Sequence, residues 1–420
     1  MPFYYIIQRV VFQDKKQGGA HLRTVGIVAE YNPFHNGHAY HIKQIKKDEN
    51  TAVIAVLSGN LMQRGEFPLF PLSVRANAAL LCGVDLVIEL PAPYALQSAE
   101  GFALSSISLL NALGIVDAIS FGAETADIDI FDNVATTLIG SDFANLLKAE
   151  LKKGVSFPVA RGHALEKLLP DIKDFISTPN NLLGIEYLKA TKLLEWEADF
   201  IPIERIGVEH DSDNTNLQCT SASYLRKALT SKTFSFEESW APYIPSDIHE
   251  LYKETLHKGN YFLHNSKVDT ALLSILRMKA KSDFVGLTDE SEGLHHLLYA
   301  SIQKATSLQE LYSLVKSKRY THSRIRRLVH AAILGYDYNL PKYPPYIHIM
   351  GASEKGMHVL KEAKTKAILP LSHSLSVLSE INKDSNLVST YSSLAGNLYS
   401  MLLKKPASCG ADFTVPFIKI

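Results

Sequence analysis

Short, mainly apolar runs alternate with segments of helical spacing over the first part of the chain. Four apolar runs predict buried strands, at residues 25–29, 52–57, 84–90 and 116–121. Helical spacing follows three of them, from about residue 38, over 73–82 and over 98–113. This alternation predicts an α/β fold, a Rossmann-like parallel sheet with helices on both faces, whose ligands bind at the carboxyl ends of the strands.

Strands become rare further along the chain. Residues 200–207 predict a fifth strand, residues 210–216 a polar loop, and a helix should begin near Ala222 after a serine or threonine cap. Beyond about residue 235 helical spacing dominates. The pattern therefore predicts three parts, an extension over 1–23, an α/β unit over 24–230 and a mainly helical region over 231–420.

The composition excludes few classes of globular protein, but it constrains the kind of nucleic-acid site and the cellular compartment. Of the 420 residues 46% are hydrophobic and 20% charged, which is ordinary for a globular protein of two or three folding units. Lysine plus arginine equals aspartate plus glutamate at 43 each, so a nucleic-acid site must be a local patch. Three scattered cysteines, no membrane-length apolar run and no signal peptide predict a cytoplasmic protein with no membrane contact.

The segment over residues 30–38 carries the most specific chemistry. Its His35-Asn36-Gly37-His38 core lies between the first predicted strand and the first predicted helix. A helix amino terminus offers unpaired N–H groups to phosphate, and two histidines beside a glycine can donate hydrogen bonds to growing negative charge. A turn with incidental histidines is the plain alternative, but the strand before and the helix after favour a site. The pattern resembles the His-x-Gly-His signature of the nucleotidylyltransferase superfamily.

A second segment, residues 220–226, resembles the phosphate-contacting Ile-Ser-Ser-Thr-x-x-Arg element of that superfamily. Its candidate ligands are the hydroxyls of Ser221 and Ser223 and the guanidinium of Arg226. The alternative is a capped helix carrying a solvated arginine. A serine can cap a helix and contact phosphate at once, so the two interpretations are compatible.

A basic cluster over residues 316–327 is the candidate RNA surface, with seven basic residues in twelve. Helical spacing predicts that Ile325, Leu328, Val329 and Ala332 form a buried stripe. Ser323, Arg324, Arg326, Arg327 and His330 should then face outward. The predicted RNA-binding residues are Lys316, Lys318, Arg319, Arg324, Arg326 and Arg327. A merely solvated charged helix is the alternative.

Three longer runs, at residues 28–38, 58–66 and 83–91, resemble the tRNA(Met) cytidine acetate ligase family, and weaker similarity extends to about residue 365. The resemblance implies an enzyme that activates acetate with ATP as acetyl-adenylate. It further implies transfer of acetyl to N4 of the wobble cytidine of elongator tRNA(Met), forming N4-acetylcytidine. ATP chemistry would then belong to residues 24–230 and tRNA binding to 231–420.

The resemblance also implies the site residues, with His35 and His38 as the catalytic pair. The expected ATP-binding residues are Val28, Ala29, Glu30, Tyr31, Asn32, Pro33, Phe34, His35, Asn36, Gly37, His38, Ala39, Tyr40, His41, Gly122, Asn180, Arg205, Ser221, Ser223 and Arg226. Magnesium is expected on ATP, with no protein metal site, no covalent intermediate and no obligate protein partner. Leu72 departs from the family pattern, since a basic residue is expected there.

Several alternatives remain open at this point. The loop over residues 63–66 could reach the active site or form a turn with a local pair between Arg64 and Glu66. Asn180 and Asn181 could contact ATP or cap a helix. The whole chain could instead be a nucleotidylyltransferase that adenylylates a small phosphorylated cofactor precursor, or a non-catalytic RNA-binding protein.

Overall fold

The computed structural model describes residues 22–205, 220–290, 293–318 and 320–420. The predicted loop over residues 210–216, Cys219, Arg319 and nearly all of the predicted extension over 1–23 lie outside these ranges. No helix among the described residues is both long and apolar enough to cross a membrane.

One sheet of eight strands organises the fold. The strands are β1 Arg23–Ala29, β2 Thr51–Ser58, β3 Leu86–Leu90, β4 Ala118–Ala123, β5 Asp199–Glu204, β6 Ile347–Ala352, β7 Leu371–Ser372 and β8 Ile418–Lys419. Their order is β5-β4-β1-β2-β3-β6-β7, and β8 pairs with β6. Strands β1 to β5 are parallel, as predicted, but β6 runs antiparallel to β3. The sheet is therefore mixed, because a strand from the mainly helical region completes it.

The helices surround this sheet and form a separate bundle beyond it. Those of the first part are α1 Asn36–Ile45, α2 Leu72–Leu81, α3 Ala92–Ala95, α4 Ala99–Ala112, α5 Ile128–Ile139, α6 Ser141–Leu151, α7 Phe157–Leu168, α8 Lys173–Ser177, α9 Pro179–Leu193 and α10 Ala222–Ala228. Those of the second part are α11 Phe236–Ser239, α12 His249–His257, α13 Ser266–Arg277, α14 Leu294–Lys304, α15 Leu308–Val315, α16 His322–Leu334, α17 Glu354–Lys366, α18 Leu375–Ser379, α19 Lys383–Leu402 and α20 Ala411–Thr414.

Strand β2 shows how the sheet is buried on both faces. All eight of its residues are buried, and alternate side chains enter different apolar clusters. Ala52, Ile54 and Val56 pack with residues of α4, α5 and α9, whereas Val53, Ala55 and Leu57 pack with residues of α1, α2 and α12. The prediction of a sheet covered on two sides is confirmed.

A third apolar cluster belongs to the helical region. It joins α13, α14, α15 and α16 to α19, and it includes Leu61 and Phe67 from the segment that follows β2. The helical region thus packs directly against a loop of the sheet. The division at residue 230 stays a prediction, although β6, β7 and β8 come from beyond it.

Candidate active site

A cleft of about 590 Å³ opens at the carboxyl ends of β1 and β4, where the strand order reverses. This is the position at which open α/β sheets bind ligands, and the volume is in the range of small-molecule sites. The predicted residues that line it are Val28, Ala29, Glu30, Tyr31, Asn32, His35, Gly37, His38, Tyr40, His41, Gly122, Asn180, Arg205, Ser221, Ser223 and Arg226. The fold therefore brings segments from five separate parts of the chain to one place.

Four residues of the predicted set do not line the cleft. These are Pro33, Phe34, Asn36 and Ala39, of which Phe34 is fully buried. The backbone N–H of Phe34 donates to the Tyr252 hydroxyl at 3.1 Å, and the side-chain amide of Asn36 donates to the Pro242 carbonyl at 3.0 Å. These two hydrogen bonds tie the loop to Tyr252 and Pro242. Contact of Phe34 and of the other three residues with ATP stays a prediction.

The two motif histidines are fixed by the backbone at the start of α1. His35 is the N-cap residue, and its Nδ1 accepts from the Gly37 N–H at 3.1 Å. The Nδ1 atom of His38 accepts from the His35 N–H at 3.2 Å, and the two rings stack with centroids 3.8 Å apart. A neutral imidazole whose Nδ1 accepts must carry its proton on Nε2. Each ring therefore keeps one N–H donor for a ligand.

Burial keeps these rings neutral. It lowers the pKa of His35 to about 3, helped by the positive charges of Arg205 and Arg226. Burial also lowers the pKa of His38 well below its usual value, followed by the effect of His35 and Arg205. The two rings are therefore neutral near pH 7, and a negatively charged ligand in the cleft would raise their pKa values.

His41 provides a test of this electrostatic environment. Its Nε2 lies 2.9 Å from the Ser120 hydroxyl, and burial, with Arg205, lowers its pKa to about 4. As the pH falls below 6.5, His41 is protonated in the unfolded chain but stays neutral in the folded protein. The free energy of unfolding therefore falls progressively toward pH 4. Between pH 7 and pH 5, His41→Gln should lose less unfolding free energy than the wild type, by up to about 2 kcal/mol. Equal losses in urea titrations at the two pH values would contradict the depressed pKa.

The second phosphate-binding candidate follows β5. Ser221 caps α10, since its Oγ accepts from the Tyr224 N–H at 3.1 Å, and it lies 3.0 Å from the Ser223 hydroxyl. The predicted cap is confirmed, and both hydroxyls line the cleft. Arg226 donates to the Asn32 carbonyl at 2.7 Å, which ties this segment to the His-x-Gly-His loop.

Asn180 and Asn181 tie α9 to the turn after β4. The side-chain amide of Asn180 donates to a Glu124 carboxylate oxygen at 2.5 Å. The side-chain oxygen Oδ1 of Asn181 accepts from the backbone N–H of Glu124 at 3.0 Å. Thr178 is the N-cap residue of α9, so the capping alternative for the two asparagines is wrong. Contact of Asn180 with ATP stays a prediction.

Arg75 is an organising residue that sequence reasoning missed. Its guanidinium is fully buried and donates to four backbone carbonyls, those of Glu30, Ser58, Gly59 and Phe70. It therefore fixes the ends of β1 and β2 relative to one another. The available signal was a lone charge among the buried apolar positions of α2. Leu72, where a basic residue was expected, is buried in the same helix and makes apolar contacts.

The basic helix departs from its predicted orientation. Ile325, Leu328, Val329 and Ala332 of α16 are fully buried, as predicted, but Arg327 and His330 are also buried, at 7% and 3% exposure. Arg327 pairs with Asp289 through bonds of 2.6 and 3.1 Å. The prediction that both residues face outward is wrong, because α16 packs between the bundle and the loop after β2 and so buries more than one stripe.

The loop over residues 63–66 reaches the cleft. Gln63, Arg64 and Glu66 line it, and the Gln63 N–H donates to the Glu30 carboxylate at 2.7 Å. Burial raises the pKa of Glu30. Glu66 pairs with arginines of two other segments, Arg226 and Arg326, and α16 thereby contributes to the cleft wall. Of the two alternatives left open for this loop, the structure shows the one in which it reaches the cleft.

Comparisons with known proteins agree with this geometry. A family model described as HIGH Nucleotidyl Transferase matches residues 22–412. The tRNA(Met) cytidine acetate ligase of Thermosipho africanus is 35% identical over 425 residues, which cover 94% of this chain and 99% of that protein. The tRNA(Met) cytidine acetate ligase of a Thermoanaerobacter species is 37% identical over 407 residues, with 94% and 99% covered.

Solved structures are similar over nearly the whole chain. The crystal structure of Thermotoga maritima TmcAL (apo, form I) superposes with a TM-score of 0.86 at 32% identity, covering 95% of this chain and 100% of that one. The same Thermotoga protein bound with alpha-thio ATP gives a TM-score of 0.84 at 31% identity, with the same coverage.

Proposed function

The chain belongs to the tRNA(Met) cytidine acetate ligase family within the HIGH nucleotidyl transferases, and from that premise we propose that it activates acetate with ATP and transfers acetyl to N4 of the wobble cytidine of elongator tRNA(Met). It would act in the cytoplasm, where tRNA is modified. The observation that carries the proposal is the pair of neutral histidines fixed at the start of α1 within the cleft.

The first half-reaction joins acetate to adenylate. A carboxylate oxygen of acetate attacks the α-phosphorus of ATP, the bond to the β-phosphate bridging oxygen breaks, and pyrophosphate leaves with that electron pair. The N–H groups at the start of α1 and the Nε2–H donors of His35 and His38 stabilise the charge that grows on the phosphate oxygens. Arg226 and the hydroxyls of Ser221 and Ser223 are the candidates for holding the departing phosphates.

The second half-reaction transfers the acetyl group. The N4 amine of cytidine attacks the acetyl carbonyl carbon, the bond from that carbon to the adenylate oxygen breaks, and AMP leaves as the amine loses one proton. Acetate itself cannot do this, because a carboxylate oxygen is a poor leaving group. The same donors that bind the α-phosphate would stabilise the AMP that departs.

Magnesium is expected on ATP rather than in a protein cage. Across residues 22–205, 220–290, 293–318 and 320–420, no three His, Cys, Asp or Glu side chains are grouped to hold a metal ion. The ion would instead be bound by phosphate oxygens and neutralise their charge. Glu30 is the carboxylate of the cleft that would accept a hydrogen bond from one of the water molecules on the ion.

Two measurements test the proposal together. Radioactive pyrophosphate should exchange into ATP only when acetate is present, and tRNA incubated with ATP and acetate should gain one acetyl group on cytidine by mass spectrometry of nucleosides. Exchange that proceeds without acetate, but with a small phosphorylated substrate, would favour adenylylation of a cofactor precursor. If both exchange and acetylation are absent, that result would favour a non-catalytic role.

The exposed part of the basic cluster is the proposed tRNA surface. Lys316 and Lys318 are exposed, and the Arg324 guanidinium lies 5.2 Å from the centre of the Tyr320 ring. Arg327 is left out because its charge is buried against Asp289. Lys316 and Lys318 precede α16 and Arg324 lies in its first turn, on the same helix as Ser323 and Arg326 of the cleft.

Lys318→Ala combined with Arg324→Ala should weaken tRNA binding and leave acetate-dependent exchange, which needs no tRNA, at its normal rate. For each basic side chain that touches a phosphate, its removal should flatten the dependence of log affinity on log salt by roughly one unit. Lys258→Ala, in an exposed pair with Glu254 on α12, is the matched control. Filter binding across a salt series measures the slope, and an unchanged slope in the double variant would place tRNA elsewhere.

A further inference from the structure

Arg326 is a residue of the cleft, although it belongs to the helical region. Its side chain is 29% exposed and lines the same cleft as His35, His38 and Arg226. On its inner side the guanidinium carbon lies 5.7 Å from the centre of the Tyr312 ring. A predicted tRNA contact therefore lies at the nucleotide site.

The partner of Arg326 is an acidic residue that also approaches Arg226. Glu66 accepts from Arg326 Nη1 at 2.7 Å, while its other carboxylate oxygen lies 3.7 Å from Arg226 Nη2. The Glu66 side chain is 40% exposed, and the side chains of Arg326 and Arg226 are 29% and 31% exposed. One carboxylate thus lies between two arginines that come from α10 and α16.

A tight turn fixes this arrangement. The Met62 N–H donates to the Glu66 carbonyl at 2.9 Å, and Gly65 has a φ of +72°. A Cβ atom at Gly65 would lie 2.6 Å from the Arg326 Cβ and 2.8 Å from the Arg327 backbone nitrogen. The turn therefore contacts the α16 backbone directly and places the Glu66 and Arg326 side chains beside each other.

Resting on the function proposed above, we propose that Arg326 is a second phosphate-binding arginine of the ATP site, for which Glu66 competes with the polyphosphate. A polyphosphate carries several negative charges, so it attracts both arginines and repels Glu66. Glu66 lies where a phosphate would meet both guanidinium groups, with its carboxylate oxygens 2.7 Å from Arg326 Nη1 and 3.7 Å from Arg226 Nη2. When pyrophosphate leaves, Glu66 recovers both arginines and favours release.

The competing explanation is that the Glu66–Arg326 pair only holds the turn against α16. The two explanations predict different signs. If the pair only holds the turn against α16, removing either partner should weaken nucleotide binding. If Glu66 competes with phosphate, removing the arginine weakens binding and removing the carboxylate strengthens it.

The test compares Arg326→Gln, Arg326→Lys and Glu66→Gln with the wild type. Calorimetric titration with ATP and with pyrophosphate should give a Kd about tenfold or more higher for Arg326→Gln, the size of a lost hydrogen bond to a charged group. Arg326→Lys should recover part of the loss, and Glu66→Gln should bind pyrophosphate more tightly than the wild type. Lys253→Gln removes a pair of equal length, 2.7 Å to Glu237, outside the cleft and serves as control.

Melting temperatures of all variants separate a binding effect from unfolding. A Kd within twofold of wild type for folded Arg326→Gln would overturn the inference, and so would weaker pyrophosphate binding by Glu66→Gln. If Arg326→Gln lowers the affinity for tRNA but not for ATP or pyrophosphate, Arg326 is a tRNA contact and the inference is overturned. Because these titrations need neither acetate nor tRNA, they report on Arg326 even if wild-type exchange proves independent of acetate.

Discussion

His38→Ala should slow acetate-dependent ATP–pyrophosphate exchange by about 10²-fold or more, the usual effect of losing a donor to transition-state charge. The reason lies in the ring's fixed tautomer. Nδ1 of His38 is committed to the His35 N–H, so the proton on Nε2 is the one that a phosphate oxygen can use. Removing the ring removes that donor at the step where charge develops.

The graded variant is His38→Gln, whose side-chain amide can donate from near the position of Nε2. It should keep more activity than alanine if donation is what matters. His264→Ala, at an exposed histidine paired with Asp269, controls for loss of an imidazole. Exchange at the wild-type rate in His38→Ala would remove this residue from the mechanism.

His35→Ala should have a comparable kinetic effect, but it needs a stability measurement beside it. The ring of His35 also caps α1, and losing a cap costs about 1 kcal/mol. The rate should therefore be compared below the melting transition of the variant. A rate loss that disappeared there would reduce His35 to a structural cap.

The largest expected loss of stability follows from Arg75→Met. Methionine fills the space of the buried side chain but leaves four carbonyls without their donor. The free energy of unfolding should fall by about 4 kcal/mol or more, because each buried carbonyl left without a donor costs about 1–3 kcal/mol. Exchange should also fall in the folded fraction, because the ends of β1 and β2 that carry Glu30 and Gly59 lose their common support.

Urea denaturation measures this loss, and Arg23→Met is its control. Arg23 forms an exposed pair with Asp199 at 3.3 Å, and such pairs contribute at most about 1 kcal/mol. Arg75→Lys should lie near Arg75→Met, since a single ammonium cannot reach four carbonyls from one position. A loss for Arg75→Met as small as that for Arg23→Met would refute the organising role.

The sheet and the His-x-Gly-His loop could be predicted because their signals are local. A strand such as β2 is buried on both faces, so its sequence is apolar throughout and recognisable without knowing its neighbours. The histidines follow one strand and begin one helix, and the local geometry fixes them. Position and chemistry are then encoded within about fifteen residues.

The environment of α16 could not be predicted in the same way. Helical spacing identifies the most apolar stripe, and Ile325 and Leu328 lie on it. It does not reveal that a turn from residues 62–66 covers an adjacent stripe, because that contact joins residues more than 250 positions apart in sequence, as for Arg326 and Glu66. Arg326 was therefore predicted to lie on the surface, whereas it lines the cleft.

Strand β6 and Arg75 illustrate two further limits. A short apolar run in a helical region does not identify its partner strand, so the antiparallel pairing of β6 with β3 had no sequence signal. An arginine among apolar residues looks like an exception until its four acceptors are known. In both cases the determining interactions lie in distant parts of the chain.

Strand β6 is translated long after β1 to β5, and this order affects the nascent chain. Strands β1 to β5 are complete once residue 204 has been translated, but the edge of β3 must wait until residue 352 for its partner. During that interval an apolar strand edge is open, together with Glu89, which in the finished protein is bonded to His348 at 2.6 Å. Open edges of this kind pair with other chains. A nascent chain stalled near residue 230 should therefore be aggregation-prone and depend on chaperones, even though strands β1 to β5 have already been synthesised.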